Sequence, residues 1–353
     1  CYTHPDVIRL STEWVLQWLA DHPEVECVDI SQNDAYPGDY GACECSDCRA
    51  VVEEEGTEMG PILRLVNTVA AAVKERYPDK LVDTLAYQYT IGKPTQTVPL
   101  GNVVIRLCHH ACYFHGIEGE ELGTEYREAV DDWHTVARNI WVWHYGTNFW
   151  SYLTPNPNLA AIAKDMRFYH DHGVNGVMLQ GNIQSTGGEL SDFRQYLTAQ
   201  LLWDPTQDPM VIRSEFCEGY YGPAKDDVME FLGSMDAWAA ALDQHIPMNG
   251  WDPPAITPPE WVAQGLATLD RAYGRTEDPV TRNRIEKLML PLWVMQLRWP
   301  DRYELAREDG LPLIARTRTL VERNNIRSPS EWNHDMPGFL AGLEAQFAAP
   351  AEG

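Results

Sequence analysis

Polar and titratable residues end three apolar segments in the first third of the chain. The segments VDISQND (28–34), DTLAYQY (83–89) and VVIRLC (103–108) have the composition of buried strands. In a parallel (β/α)8 barrel the C-terminal ends of the strands meet at one mouth, where chemistry is placed. The sequence therefore predicts a site at this mouth that collects Asn33, Asp34, Gln88, Tyr89, Arg106 and Cys108.

Asp34 is the first candidate catalytic residue. A carboxylate beside the amide of Asn33 at a strand end can orient a substrate acetamido group, or act as an acid or base. The alternative is that Asp34 caps the turn leading into AYPGDYG (35–41), which is a common role for Asp. Spacing alone leaves both interpretations open.

Glu189 is the second candidate catalytic residue. It follows a glycine pair in TGGE (186–189) and opens a predicted helix, so it is placed to act as a general acid on a glycine-rich loop. The alternative is an acidic residue favoured by the helix dipole at an N-terminus. Further aromatic and amide groups at strand ends are predicted to bind substrate: Tyr87, Trp143, Tyr145, Asn148, Gln180 and Asn182. Since Trp141 and Trp143 share one strand face, at least one of them is expected to be a packing residue.

The cysteines of CECSDC (43–48) have the spacing of a metal site. Cys43, Cys45 and Cys48 can hold zinc if a fourth ligand joins them. The candidates for the fourth ligand lie in RLCHHACYFH: Cys108, His109, His110, Cys112 and His115. The alternatives are a Cys45–Cys48 disulfide or free thiols. The expected metal is structural, and no cofactor is expected to be required for catalysis.

Strand and helix patterns alternate over the first 206 residues. Strands are predicted at 25–32, 81–89, 103–108, 140–145 and 174–181, mostly with helices between them, which indicates an α/β fold with a parallel sheet. A closed barrel needs three more strands, yet the pattern from residue 207 onward is helical. We therefore predict two domains: residues 1–206 form the C-terminal part of a (β/α)8 TIM-type barrel with about five strands, and residues 207–353 form a helical domain.

Composition narrows the set of partners. The formal charge of −25 over 353 residues repels polyanions, so nucleic acid is not an expected partner. No run of about 18 apolar residues is present, so no transmembrane segment is predicted. The opening CYTHPDV is consistent with a lipid-bearing Cys1 or with a fragment of a longer chain, and the helical pattern that starts at Pro5 favours the fragment.

An ordered set of motifs resembles a known family. SQND, CxCxxC followed by EEEG (53–56), DTLAYQYT, VVIRLC, TNF (147–149), QGN, GGE, LLWDP (201–205) and GYYGP (219–223) occur in this order. Together they resemble the family long catalogued as domain of unknown function 4838, now glycoside hydrolase family 163. The resemblance covers roughly residues 1–235.

The resemblance implies a bacterial TIM-barrel glycosidase. The implied activity is that of an endo-β-N-acetylglucosaminidase on complex N-glycans, by a substrate-assisted retaining mechanism. In that mechanism Asp34 would orient the acetamido group or transfer a proton, and Glu189 would be the next candidate acid. The implied partners are an N-acetylglucosamine-containing glycan and a missing N-terminal part of the same polypeptide with the remaining strands. The implied location is periplasmic, surface or secreted.

Two positions depart from the family pattern. Relatives often carry Glu where Leu179 stands and Asp where His144 stands, so two acidic groups are lost from the predicted mouth. This departure keeps two alternatives open: a non-catalytic glycan-binding barrel, or a glycosidase of different specificity.

Overall fold

The parallel sheet of the protein contains the five predicted strands. The computed structural model describes residues 1–34, 41–108, 115–117, 123–242 and 253–348, together with the backbone of 111–112 and 246–247. The strands are β1 (Cys27–Asp29), β2 (Leu81–Ala86), β3 (Val103–Cys108), β4 (Ala111–Cys112), β5 (Asn139–Tyr145), β6 (Gly176–Gln180) and β7 (Ile246–Pro247). The sheet has the order β1-β2-β3-β5-β6, while β4 and β7 form a separate antiparallel pair.

The strand order defines the winding of the fold. The order of the five strands across the sheet is the same as their order along the chain. The pairs β1–β2, β2–β3 and β3–β5 are parallel. A doubly wound sheet would reverse this order at a switch point, whereas a barrel does not. The predicted partial TIM-type α/β fold is thereby confirmed, with five strands followed by a helical region.

Helices follow the predicted pattern closely. Long helices lie between the strands as expected, whereas the ten-residue helix that begins at Ser46, within the cysteine knuckle, was not predicted. None of the described helices combines the length and apolar character that a membrane span requires. The helices are α1 (Pro5–Asp21), α2 (Ser46–Glu55), α3 (Met59–Arg76), α4 (Thr124–His134), α5 (Leu159–Asp171), α6 (Ser191–Trp203), α7 (Pro209–Tyr221), α8 (Lys225–Ala241), α9 (Pro253–Ile256), α10 (Pro259–Gly274), α11 (Pro279–Arg298), α12 (Arg307–Arg323) and α13 (Met336–Ala348).

The two faces of the sheet differ in chemistry. Strand pairing places Asp29 beside Asp83 and Arg106 beside Leu85. Because Asp83 and Leu85 are two residues apart on β2, the side chains of Asp29, Asp83 and Arg106 share one face of the sheet. The opposite face is apolar and fully buried, and α3 packs on it through its own buried stripe. Apolar residues of this face include Val82, Ile105 and Val142. Burial of the apolar face fixes the register, because a slip of one residue would exchange the two faces.

The chain divides into two compact units. Unit 1 consists of residues 1–109, 121–144 and 168–178, and unit 2 of residues 110–120, 145–167 and 179–353. In unit 1, α1 and α2 pack on α3. In unit 2, α8, α10 and α11 pack in succession, as do α12 and α13. The domain boundary expected after residue 206 stays a prediction.

Candidate active site and cysteine cluster

The ends of β1 and β2 bring two predicted site residues together. Asp34 and its neighbour Asn33 are exposed, whereas the side chain of Tyr87 is buried. The Tyr87 hydroxyl donates a hydrogen bond to Asp34 Oδ1 over 3.2 Å. Burial, aided by the nearby Asp34 carboxylate, raises the pKa of Tyr87 well above its ordinary value, so the phenol remains a donor. The turn residues 35–40 lie outside the described residues.

Two residues that the sequence reasoning missed hold Tyr87 in place. Gln32 Nε2 donates to the Tyr87 carbonyl over 2.9 Å, and Thr90 Oγ1 donates to Gln32 Oε1 over 2.6 Å. The backbone turns sharply at Gln88, whose φ of +52° is unusual for a residue with a side chain. A signal for Gln32 was present, since it lies two residues before Asp34 and therefore on the same side of an extended chain.

Arg106 lies on the polar face of the sheet in unit 1. Its guanidinium forms an ion pair with the fully buried Asp83 and lies 3.6 Å from Asp29 Oδ2. The guanidinium carbon also lies 5.9 Å from the centre of the Trp143 ring. A buried carboxylate needs such a partner, so Arg106 balances Asp83 in addition to any contact that it makes with substrate.

Cys108 and Trp141 have structural surroundings. Burial raises the pKa of the Cys108 thiol to about 12, so this cysteine is neutral at physiological pH. The Trp141 ring lies over Gly176, where an added Cβ would come within 2.5 Å of the ring. Trp141 is therefore the packing residue expected on this strand face.

The two positions that depart from the family pattern are apolar or neutral. His144 is 3% exposed and places Nδ1 2.9 Å from the Tyr169 hydroxyl. Burial lowers the pKa of His144 to about 4, so the imidazole carries no charge at neutral pH. Leu179 packs against Gly146, where an added Cβ would lie 2.6 Å from Leu179 Cδ2. Neither residue replaces a carboxylate electrostatically.

Glu189 forms a buried ion pair within unit 2. Its side chain is 4% exposed, and Oε2 lies 2.6 Å from Nη2 of Arg194 on α6. Arg194 is itself fixed, since it donates to Asn158 Oδ1 over 3.2 Å and to the Asn156 carbonyl over 3.1 Å. Burial raises the pKa of Glu189, and the Arg194 guanidinium opposes this rise. Glu189 Oε1 accepts no hydrogen bond from any described residue.

Other predicted binding residues in unit 2 have partners in the protein itself. Asn182 Nδ2 donates to the Ser185 carbonyl over 3.1 Å, which closes the loop after β6. Asn148 is 1% exposed and accepts from the Trp150 amide over 3.1 Å. Tyr145 is buried, and the Gln180 carbonyl accepts a backbone hydrogen bond.

An exposed aromatic pair in unit 2 was not predicted from the sequence. The Trp150 and Trp332 side chains are 59% and 61% exposed, and their ring centres lie 6.0 Å apart at an angle of 72°. The Glu331 amide donates to the Phe149 carbonyl over 2.8 Å, which holds the two segments together. Exposed indole faces are surfaces on which sugar rings stack. The signal was the Trp directly after the TNF motif.

The cysteine knuckle gathers a fourth thiol from the start of the chain. The sulfur atoms of Cys1, Cys43, Cys45 and Cys48 all lie within 4.8 Å of one another. These cysteines are free thiols, so the Cys45–Cys48 disulfide is not formed. The amide of Cys48 donates a hydrogen bond to the Cys45 sulfur at the start of α2. This hydrogen bond, and to a smaller extent one from the Cys43 thiol, lowers the pKa of Cys45 to about 7. Four clustered cysteines could hold a structural metal such as zinc.

No described residue of the segment in which the fourth ligand is expected joins the cluster. Cys108 ends β3 and is not part of the cluster, and His115 places Nε2 2.9 Å from the Ala239 carbonyl. His109 and His110, with the side chain of Cys112, lie outside the described residues. Sequence spacing could not reveal Cys1, which lies 44 residues before Cys45.

The fold and the cysteines define an α/β protein with the strand order of a barrel and a cluster of four cysteines. The chain belongs to the family described as domain of unknown function (DUF4838), whose model matches residues 1–232. This match confirms the resemblance drawn from the ordered motifs. No curated protein matches the chain.

The solved structures that match the chain include a distantly similar structure. It is that of a GH138 enzyme targeting pectin rhamnogalacturonan II, with 10% sequence identity and a TM-score of 0.34. The match covers 83% of this chain and 53% of that enzyme, so the chain spans about half of the enzyme's length. At this score the likeness is too distant to identify a shared site.

Proposed function

We propose that the protein is a glycoside hydrolase that acts on N-acetylglucosamine-containing glycans. Support comes from membership of the DUF4838 family, and from the ordered motifs of this chain, which resemble glycoside hydrolase family 163. The observation that carries the proposal is the exposed Asp34 carboxylate, held by the Tyr87 hydroxyl beyond the C-terminal ends of two neighbouring parallel strands. Barrel enzymes use this end of the strands for catalysis.

The proposed chemistry is substrate-assisted hydrolysis with retention. The ionised Asp34 accepts a hydrogen bond from the acetamido N–H of the sugar, which makes the acetamido oxygen more nucleophilic. That oxygen attacks the anomeric carbon while the glycosidic bond breaks and the leaving oxygen takes a proton from an acid. Water then opens the cyclic intermediate and restores the acetamido group. Tyr87 fixes the direction of the carboxylate, which is the preorganisation that such a step needs.

Glu189 is retained as the candidate proton donor. Burial raises its pKa, which favours the protonated form that an acid requires, and Arg194 acts in the opposite direction. Glu189→Gln keeps the size of the side chain and removes the acidic proton. If Glu189 is the donor, turnover falls at least 100-fold, within the range that general acid catalysis supplies, and activity on a substrate with an acidic leaving group is spared. Equal loss on both substrates would remove Glu189 from this role.

The remaining predicted binding residues are kept as proposed contacts to glycan. Trp143 is the strongest of them, because its half-exposed ring lies on the polar face of the sheet beside Arg106. The others are Asn33, Gln88, Tyr89, Tyr145, Asn148, Gln180 and Asn182. No cofactor enters the proposed reaction.

The test is mass spectrometry of a complex-type N-glycoprotein after incubation with the complete polypeptide. The expected result is a released glycan, with a single N-acetylglucosamine left on the protein. Asp34→Asn is expected to abolish release, whereas Asp79→Asn, at another exposed Asp in unit 1, keeps full activity. Release at the normal rate by the Asp34 variant would overturn the proposed role.

A second candidate function is glycan binding without hydrolysis. It is favoured by the neutral His144 and apolar Leu179, together with the exposed pair of Trp150 and Trp332. This candidate predicts saturable glycan binding by calorimetry with no product. A variant that combines His144→Asp with Leu179→Glu tests it directly, since a gain of turnover would identify the lost acids as the cause of inactivity. The absence of glycan affinity in the unmodified protein would exclude this candidate.

A further inference from the structure

We propose that Cys1, Cys43, Cys45 and Cys48 bind one zinc ion, with Cys1 as the fourth ligand. Zinc bound by four thiolates at about 2.3 Å holds the sulfur atoms at the corners of a tetrahedron with edges of about 3.8 Å. The Cys1 sulfur lies 3.4 Å from that of Cys45 and 3.7 Å from that of Cys48. The four sulfur atoms therefore already occupy a volume that suits one tetrahedral ion.

The donor set favours zinc over hard cations. Thiolates are soft ligands that bind zinc in structural sites, whereas magnesium and calcium require oxygen ligands. A disulfide would bring two of the sulfur atoms to about 2.05 Å, and the Cys1–Cys45 separation is far longer. Four thiols without a metal would also gain little from such close packing in a partly exposed position.

Local structure supports the ligands on both sides of the cluster. Cys48 is buried in the first turn of α2, and its amide donates to the Cys45 sulfur over 3.5 Å. Hydrogen bonds of this kind orient and stabilise metal thiolates. On the other side, Thr3 Oγ1 lies 3.3 Å from the Cys48 sulfur and 3.4 Å from that of Cys1. Thr3 therefore helps to hold the segment before α1 against the knuckle.

The metal site is connected to the neighbourhood of the candidate carboxylate. Tyr2, next to Cys1, is partly buried and lies near the phenol of Tyr89. The Tyr89 hydroxyl in turn donates to the Gly41 carbonyl over 2.8 Å. Tyr89 lies two residues after Tyr87, and Gly41 lies two residues before Cys43. Zinc would thus anchor the start of the chain and the knuckle to the turn after β2. Any effect of zinc on catalysis rests on the proposed function, whereas zinc binding itself does not.

Metal analysis of the purified protein tests the site. We expect about one zinc ion per chain, and a cobalt-substituted protein with the visible d–d absorption and near-ultraviolet charge-transfer bands of a tetrahedral thiolate site. Cys1→Ser and Cys45→Ser should each lower zinc affinity at least 100-fold. Cys27→Ser, at a cysteine of unit 1 outside the cluster, is the matched control and should keep the metal. A protein that neither contains zinc nor gives the cobalt spectrum would overturn the proposal, and unchanged affinity in Cys1→Ser would remove Cys1 from it.

Hydrogen exchange of the unmutated protein gives a readout that does not depend on activity or on a variant's folding. Removal of zinc by a chelator should speed amide exchange at least tenfold in 41–49 and around Tyr89, with α10 and α11 unchanged. Uniform exchange with and without chelator would contradict the anchoring role. Zinc with no glycan release would refute only the proposed function, and glycan release without zinc would refute only this inference.

Discussion

The Tyr87 hydroxyl lies 3.2 Å from Asp34 Oδ1 and joins the ends of two neighbouring strands across 53 residues of sequence. Hydrogen bonds to Gln32 and Thr90 hold the Tyr87 backbone in turn. The position of the Tyr87 hydroxyl is therefore fixed independently of Asp34. This arrangement gives an exposed carboxylate a fixed direction. It is the feature that most clearly separates Asp34 from a simple turn cap.

Loss of the Tyr87 hydroxyl should weaken catalysis more than stability. Tyr87→Phe removes the donor that fixes the direction of the exposed Asp34 carboxylate, so we expect turnover of the glycan to fall roughly 10- to 100-fold. Steady-state kinetics measure this loss, and thermal unfolding should change little. Tyr77→Phe, at another tyrosine of unit 1, serves as the control. Equal turnover in the two variants would show that Tyr87 has no positioning role.

The ion pair between Glu189 and Arg194 predicts a pH-dependent loss of stability. Arg194→Leu leaves a buried carboxylate without its partner and should cost about 3–5 kcal/mol at pH 7. Because burial raises the folded-state pKa of Glu189 above the unfolded value, stability falls as the pH rises above that unfolded value. The loss of unfolding free energy caused by Arg194→Leu should therefore be smaller at pH 5 than at pH 7. Urea unfolding at both pH values measures this loss, and Arg167→Leu, at an exposed arginine, is the control. A loss of unfolding free energy that does not change with pH would show that Glu189 is not the responsible group.

Burial of His144 predicts weaker folding in acid. Burial lowers its pKa from 6.5 to about 4. Between pH 6.5 and pH 4, His144 is therefore protonated in the unfolded state and neutral in the folded state. Stability present above pH 6.5 is lost progressively down to pH 4, by about 3 kcal/mol. His144→Gln should flatten this part of the profile of unfolding free energy against pH, whereas His170→Gln, at an exposed histidine, should not. Identical slopes in the two variants would show that His144 is not the responsible group.

The exposed Trp pair predicts a contribution to glycan affinity. Trp150→Ala should weaken glycan binding about fivefold, since stacking on an aromatic face contributes on the order of 1 kcal/mol. The melting temperature should not change, because the ring is exposed. Trp203→Ala is the control, at a ring that is 89% exposed in the same unit. Calorimetric titration with the glycan distinguishes the two variants. Similar affinity losses in both would indicate nonspecific stacking.

The strands, and the polar groups that follow them, are predictable from local sequence. Short, mostly apolar segments mark β2 and β5, and helical spacing of apolar residues marks α3, because burial imposes these patterns on the local sequence. The three cysteines of the knuckle were recognisable because their spacing is local. The order of the motifs along the chain also identified the family.

Contacts between residues far apart in sequence follow from the packing of whole elements and are not predictable locally. The approach of Cys1 to Cys45, and of Tyr87 to Asp34, depends on how helices and strands pack, and no local pattern records it. The same holds for Glu189, which is predicted from its glycine-rich surroundings as an accessible acid but lies in a buried ion pair with Arg194. Periodicity reports the burial of a face, whereas the partner of a buried charge is set by contacts between elements.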